Sequence, residues 1–289
     1  MYITNFNYHK PESIDEALIT LNTVKSPVAL AGGTDLFVEM KKGIKKVDNL
    51  VSLSALVELK EIKEYDHYYS IGAGATIADL ASSDMVKKNI PSLADTAKKI
   101  ASHQIRNTAT LGGNLCTAAS CADTAPILIA LNGLVELHSV DSVRTLPLND
   151  FFISHHKTAI QENELMMRVI IPKSEWAVNA AFEKFGLRDA ASISVASVSV
   201  ALYFDDNFCK NARIVVGACS ATPKWCETSS DMLINKTKDE IKGAELINAV
   251  CEATSADTKP IDDIRGTADY RKHLVKVLTK SAIERCMLI

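Results

Sequence analysis

The chain has 289 residues, 47% of them hydrophobic and 23% charged, and a formal net charge of −3. That length exceeds a single-core size and predicts two packed units, while the charge balance excludes the basic surface usual for nucleic-acid binding. No run of 18 apolar residues is present, and the start Met1-Tyr2-Ile3-Thr4 lacks the layout of a secretion signal, so neither a membrane span nor export is expected and the cytoplasm is.

Pro11 to Leu18 opens an amphipathic helix with Ile14, Leu18 and Leu21 on one side. Val28-Ala29-Leu30 reads as a short strand, Ala31-Gly32-Gly33-Thr34-Asp35 as a tight turn, and Leu36 to Lys42 as a helix stopped by Gly43. Thr34 or Asp35 would be the N-cap. Glycine allows positive φ and close approach, so successive N–H groups in such a turn form a concave anion nest. Neither GxGxxG nor GxxxxGK[ST] is present.

Beyond about residue 55 the pattern changes to short strands and helices. Tyr69 to Ala73 reads as a strand and Ile90 to Ile100 as a helix with Pro91 near its start. A second double glycine, Thr110-Leu111-Gly112-Gly113-Asn114, reads as another turn with bare backbone N–H groups beside a hydroxyl. Two such turns suit the phosphates of a dinucleotide gripped from opposite sides. Asp123 to Asn132 reads as a helix, and Leu134 to His138 and Leu165 to Ile171 as strands.

A second unit starts after Pro172. Ile193 to Tyr203 alternates apolar residues with serines, which predicts a half-buried strand, paired across Asp205-Asp206-Asn207 with Arg213 to Ala218. Lys238 to Val250 and Tyr270 to Met287 are helical in pattern.

Chemistry-bearing clusters are sparse. The seven cysteines form no CxxC pair and are expected to be thiols, the seven histidines form no HExxH, and His155-His156 reads as a loop. No metal site is predicted. His103 could be a general base, but without a partner a structural role is the stronger reading. No Ser/His/Asp or Cys/His motif emerges, so no catalytic side chain is named.

The stretch Ile105-Arg106-Asn107-Thr108-Ala109-Thr110-Leu111-Gly112-Gly113-Asn114, an IRNxATxGGN pattern, together with Ala31-Gly32-Gly33-Thr34-Asp35-Leu36, resembles the FAD-binding subunit of the molybdenum hydroxylases, the family of xanthine dehydrogenase and carbon monoxide dehydrogenase. The resemblance continues through Ile71 to Thr76, Phe185 to Ala190 and Arg265 to Arg271, and so covers nearly the whole chain.

It implies an α+β fold. An FAD-binding domain of two α/β subdomains, about 1–55 and 56–172, would precede a C-terminal domain of antiparallel sheet plus helices at 173–289. It implies an oxidoreductase subunit that carries FAD and passes electrons from the iron–sulfur clusters of a partner to NAD or another acceptor. A molybdenum-cofactor subunit and a 2Fe-2S subunit would be the partners, with molybdopterin and clusters held there. Two other readings stand beside it: a stand-alone flavin reductase or oxidase of related fold, and a flavin-free carrier or assembly module.

Residue by residue, the resemblance implies that Val28, Ala29, Leu30, Ala31, Gly32, Gly33, Thr34 and Asp35 form the first FAD segment. Thr110, Leu111, Gly112, Gly113 and Asn114 form the second. Asp123 takes the acidic position that follows, binding a ribose hydroxyl or capping its own helix. Relatives often carry Ser-Pro before it, where this chain has Ser120-Cys121. Leu165 matches a position lining the adenine or the flavin, with a plain core leucine as the alternative. Lys184 matches a basic position near the isoalloxazine, with a surface lysine as the alternative.

Overall fold

The computed structural model of the chain describes residues 5–188 and 191–288; Met1 to Thr4 and the Asp189-Ala190 end of the motif at Phe185 lie outside the described residues. Strand β1 (Asn7–His9) leads to helix α1 (Ile14–Thr23), β2 (Pro27–Leu30), α2 (Leu36–Lys41) and β3 (Asn49–Ser52). The strands are parallel with β3 in the middle, as helical crossovers require. Ser13 starts α1 by accepting from the Glu16 N–H. Leu50 and Val51 are consecutive on β3 and point to opposite faces. Val51 packs with Ala17, Leu18 and Leu21 of α1, and Leu50 with Met40 of α2. Gly43 ends α2 with φ +72°, the left-handed conformation that glycine adopts without a Cβ clash.

The next region holds β4 (Ile62–Glu64), β5 (Tyr68–Gly72), β6 (Leu134–His138), β7 (Val143–Pro147), the hairpin β8 (Phe152–Ser154) and β9 (Lys157–Thr158), and β10 (Leu165–Pro172). Five of these form an antiparallel sheet ordered β4-β5-β10-β6-β7. Between β5 and β6 run α3 (Ile77–Ser82), α4 (Asp84–Asn89), α5 (Pro91–Lys98), α6 (His103–Arg106), α7 (Leu111–Thr117) and α8 (Thr124–Ala130); α9 (Leu148–Phe151) follows β7. Pro91 sits at the start of α5, where its missing N–H has no helical partner to lose.

The chain then forms β11 (Ala177–Gly186), β12 (Ser194–Asp205), β13 (Phe208–Gly217) and β14 (Lys224–Trp225), an antiparallel sheet in sequential order. Helices α10 (Glu227–Asp231), α11 (Lys238–Ile241), α12 (Ala244–Ala256) and α13 (Ala268–Cys286) complete it. The helical pattern expected over Lys238 to Val250 is split, because Gly243 takes an extended conformation as the N-cap of α12.

Strand β12 departs from the half-buried expectation: every residue from Ser194 to Phe204 is buried. Val198, Val200 and Leu202 pack with Ile247, Val250 and Leu274 of α12 and α13. The opposite face carries Ser197, Ser199, Ala201 and Tyr203 and meets α8, where the Tyr203 hydroxyl donates to the Ala130 carbonyl. The serines are there as small residues that let a helix approach, and the Ser197 and Ser199 hydroxyls are buried without a partner among the described residues.

All seven cysteines are free. Among the described residues no group of three or more His, Cys, Asp or Glu is placed to hold a metal ion, and no helix is long and apolar enough to cross a membrane.

Candidate functional site

The first double glycine follows β2 directly. Gly33 has φ +68°, and a Cβ there would lie 2.7 Å from the Phe37 ring. Among the described residues the Gly32, Gly33, Thr34 and Asp35 N–H groups make no backbone hydrogen bond; Ala31 to Thr34 are half-buried and Asp35 is exposed. Unpaired N–H groups in a part-buried turn call for an acceptor from outside the chain. Asp35 holds the N-cap position of α2 with helical φ and ψ, so its side chain makes no capping bond; its Oδ2 instead accepts from the Thr117 hydroxyl at 3.4 Å.

The second double glycine is not a turn. Gly112 and Gly113 lie in the first turn of α7, with Thr110 as N-cap. Its N–H groups are also not bare. Leu111 donates to the Ala75 carbonyl, Gly112 to the Ala73 carbonyl, Gly113 to the Thr110 hydroxyl and Asn114 to the Thr110 carbonyl. Gly112 is a packing glycine, since a Cβ there would meet Ala73 Cβ at 2.7 Å. Gly113 is different: a Cβ there would meet only the Thr110 hydroxyl within 4 Å. Asn114 Oδ1 accepts from the Thr124 hydroxyl, and its Nδ2 has no partner among the described residues. The segment therefore offers a glycine whose only crowding neighbour is the Thr110 hydroxyl, at 2.9 Å from a Cβ placed there, and a side-chain amide.

The two loops touch. A Cβ on Gly32 would collide with the Thr108 carbonyl and approach Ala109 Cα to 3.1 Å, so the glycine permits backbone-on-backbone contact between segments remote in sequence.

Asp123 neither caps α8 nor points at open solvent. It holds the N-cap position with φ −74° and ψ −21°, which keeps its carboxylate from the helix N–H groups. Lys184 Nζ donates to its Oδ2 at 2.8 Å and the Ser194 hydroxyl to its Oδ1 at 2.6 Å. Lys184 also donates to the Ser192 carbonyl at 3.2 Å. The lysine is not a surface residue: its side chain is 12% exposed and that of Asp123 6%. Burial pushes the Asp123 carboxyl upward from its usual range, and the Lys184 ammonium and the Ser194 hydroxyl pull it back. The sequence carries no site signal for Ser194, one of several serines in a period-two strand, or for Ser192, which lies just before that strand.

Cys121 is pushed up first by burial and next by Asp123, with Arg265 opposing and Asp35 adding to the rise. Burial likewise pushes Cys116 up, to about 12, which disfavours the reactive thiolate. His103 is exposed, and His156 Nδ1 meets the Thr117 carbonyl at 2.7 Å. Leu165 is 3% exposed and packs with Leu18, Val51 and Leu59, tying β10 to the first sheet.

A family model described as the FAD binding domain in molybdopterin dehydrogenase matches residues 4–174, and one described as the CO dehydrogenase flavoprotein C-terminal domain matches residues 180–286. The carbon monoxide dehydrogenase medium chain of Hydrogenophaga pseudoflava is 30% identical over 279 residues, 96% of each chain. The xanthine dehydrogenase FAD-binding subunit of Escherichia coli O157:H7 is 27% identical over 283 residues, covering 97% of this chain and 96% of that one. A solved carbon monoxide dehydrogenase from Hydrogenophaga pseudoflava superposes with a TM-score of 0.94 at 28% identity, over 99% of this chain and 98% of that one. The α+β architecture, the unpaired loop amides and these matches over both halves agree, and the chain belongs to the FAD-binding subunits of the molybdenum hydroxylase family, an oxidoreductase subunit whose cofactor is FAD.

Proposed function

We propose that the chain passes electrons from the iron–sulfur clusters of a partner subunit, through FAD, to NAD or another acceptor, within a heteromeric enzyme that includes a molybdenum-cofactor subunit and a 2Fe-2S subunit. The observation that carries the reading is the row of unpaired N–H groups from Gly32 to Asp35, packed against the segment before Gly112. These groups fit a diphosphate. Gly32, Gly33 and Thr34 would bind it through N–H groups and a hydroxyl, with Gly113 giving room and the Asn114 amide a donor from the other side. Val28 to Leu30 and Leu111 would support the two segments from behind. Asp123 would take a ribose hydroxyl, Lys184 would flank the ring, and Leu165 would line the adenine or the flavin. FAD supplies the exchange between one- and two-electron carriers; the side chains bind, orient and keep water out. Residues 1–172 would form the cofactor domain, with its division near 55, and 173–289 the C-terminal domain. The seven free thiols favour the cytoplasm.

The test is reconstitution of the full chain with FAD. Wild type retains flavin, and Gly113→Val binds FAD about tenfold or more weakly with unchanged far-UV circular dichroism. Equal flavin retention by both would overturn the assignment of this loop pair. Co-purification with molybdenum and iron–sulfur subunits supports the heteromer, and flavin turnover by the isolated chain without them would favour a stand-alone enzyme.

A further inference from the structure

Strand β11 lies at the edge of the C-terminal sheet and, among the described residues, has a ladder partner only in β12. Its pairing is regular as far as Phe185 and shifts register at Gly186. Lys184 therefore sits at the end of a strand held on one side only. The free side is gripped at the two residues before it. Lys99, which follows α5, donates to the Phe182 carbonyl at 2.8 Å, approaches Glu183 Oε2 at 3.6 Å and lies 5.8 Å from the Phe182 ring centre. Arg285, near the end of α13, donates from Nη1 to Glu183 Oε1 at 2.9 Å and from Nη2 to Asp95 Oδ2 of α5 at 3.2 Å. Glu183 and Lys184 point to opposite faces of β11, so a grip on Glu183 fixes the backbone from which Lys184 reaches Asp123.

Isolated surface ion pairs contribute little, but this group differs in two ways. The Lys99 and Glu183 side chains are 32% and 20% exposed, whereas Arg285 and Asp95 are more open at 41% and 42%, and the Lys99 ammonium satisfies an edge-strand carbonyl as well as a carboxylate. We propose that Lys99 and Arg285 are positioning residues for the cofactor site, acting through Glu183 to hold β11 where Lys184 meets Asp123. The proposal rests on the reading above that Lys184 flanks the flavin.

The test uses the full chain loaded with FAD and compares Lys99→Met, Arg285→Gln, Arg285→Lys and Lys184→Met. The readouts are the visible circular dichroism of the flavin, its midpoint potential and the FAD dissociation constant. The expected result is that Lys99→Met and Arg285→Gln alter the flavin dichroism and move the potential in the same direction as Lys184→Met, with about fivefold weaker FAD binding. Arg285→Lys recovers most of the change. Wild type at about 1 M KCl, where screening reaches roughly 3 Å, reproduces the Arg285→Gln spectrum, so the outcome does not depend on a variant that folds poorly. A changed spectrum in Lys184→Met beside unchanged spectra in Lys99→Met and Arg285→Gln would overturn the positioning role and leave the flavin assignment of Lys184 standing. An unchanged spectrum in Lys184→Met would overturn that assignment, and the positioning role with it.

Discussion

The carbonyl of Thr108 occupies the space that a side chain on Gly32 would need. The loop after β2 and the segment before α7 thus lie against each other through bare backbone, and neither neighbour is a side chain that could rotate away. Gly32→Ala is expected to force the two loops apart, destabilising the FAD-free protein by about 1–3 kcal/mol, the usual range for overpacking, and weakening FAD binding as well. Urea denaturation followed by flavin titration checks both. Gly33 has a separate demand, since its positive φ and the nearby Phe37 and Leu30 side chains strain any replacement; Gly113 is the cleaner probe of ligand space.

The Asp123–Lys184 pair has a cost if broken. Asp123→Ala leaves a lysine ammonium that is 12% exposed with the Ser192 carbonyl as its remaining partner among the described residues. Removing one member of a buried pair costs about 3–5 kcal/mol, and that loss is expected in chemical denaturation. The double variant Asp123→Ala/Lys184→Met should recover part of it, giving a non-additive cycle. Strict additivity would show that the two groups do not interact.

Arg144 and Glu164 provide a pH signature. Nε and Nη2 of Arg144 donate to the two Glu164 carboxylate oxygens at 2.6 and 2.8 Å. These bonds, aided by the Gln161 N–H, hold the carboxyl below its ordinary value of 4.5. A depressed carboxylate pKa stabilises the fold fully above the unfolded value and loses that contribution as pH falls through the folded one. Arg144→Met should therefore be less stable than wild type at pH 7, with the gap closing below about pH 4.5. A gap that stays constant to pH 2 would show that the arginine acts through packing alone.

Much of the fold was legible because local rules and tertiary packing agree. Gly43 ends its helix by its own chemistry, and Val28 to Leu30 and Leu165 to Ile171 are apolar enough to read as strands. The FAD assignment came from the resemblance carried by the glycine motifs. What each glycine does was not legible. Gly32, Gly112 and Gly113 are identical in one-letter code, yet a Cβ on them would meet the Thr108 backbone, Ala73 and the Thr110 hydroxyl at 2.9 Å respectively, and the first two of these neighbours arrive from elsewhere in the chain. The same holds for Asp123, whose N-cap position is a local fact and whose partners lie 61 and 71 residues away. The serines of β12 suggested a wet face, but burial there is decided by α8, which no period within the strand encodes.

Helix α8 has no wet face: all of Thr124–Ala130 is buried, between α5, α7 and α9 on one side and β12 and β13 on the other. During synthesis its second wall does not exist until the ribosome has passed Gly217, so a sticky helix leaves the exit tunnel long before anything covers that side. Cutting the gene between the two family matches would make the same exposure permanent. The first half alone would present that face of α8 to water and would be prone to aggregate.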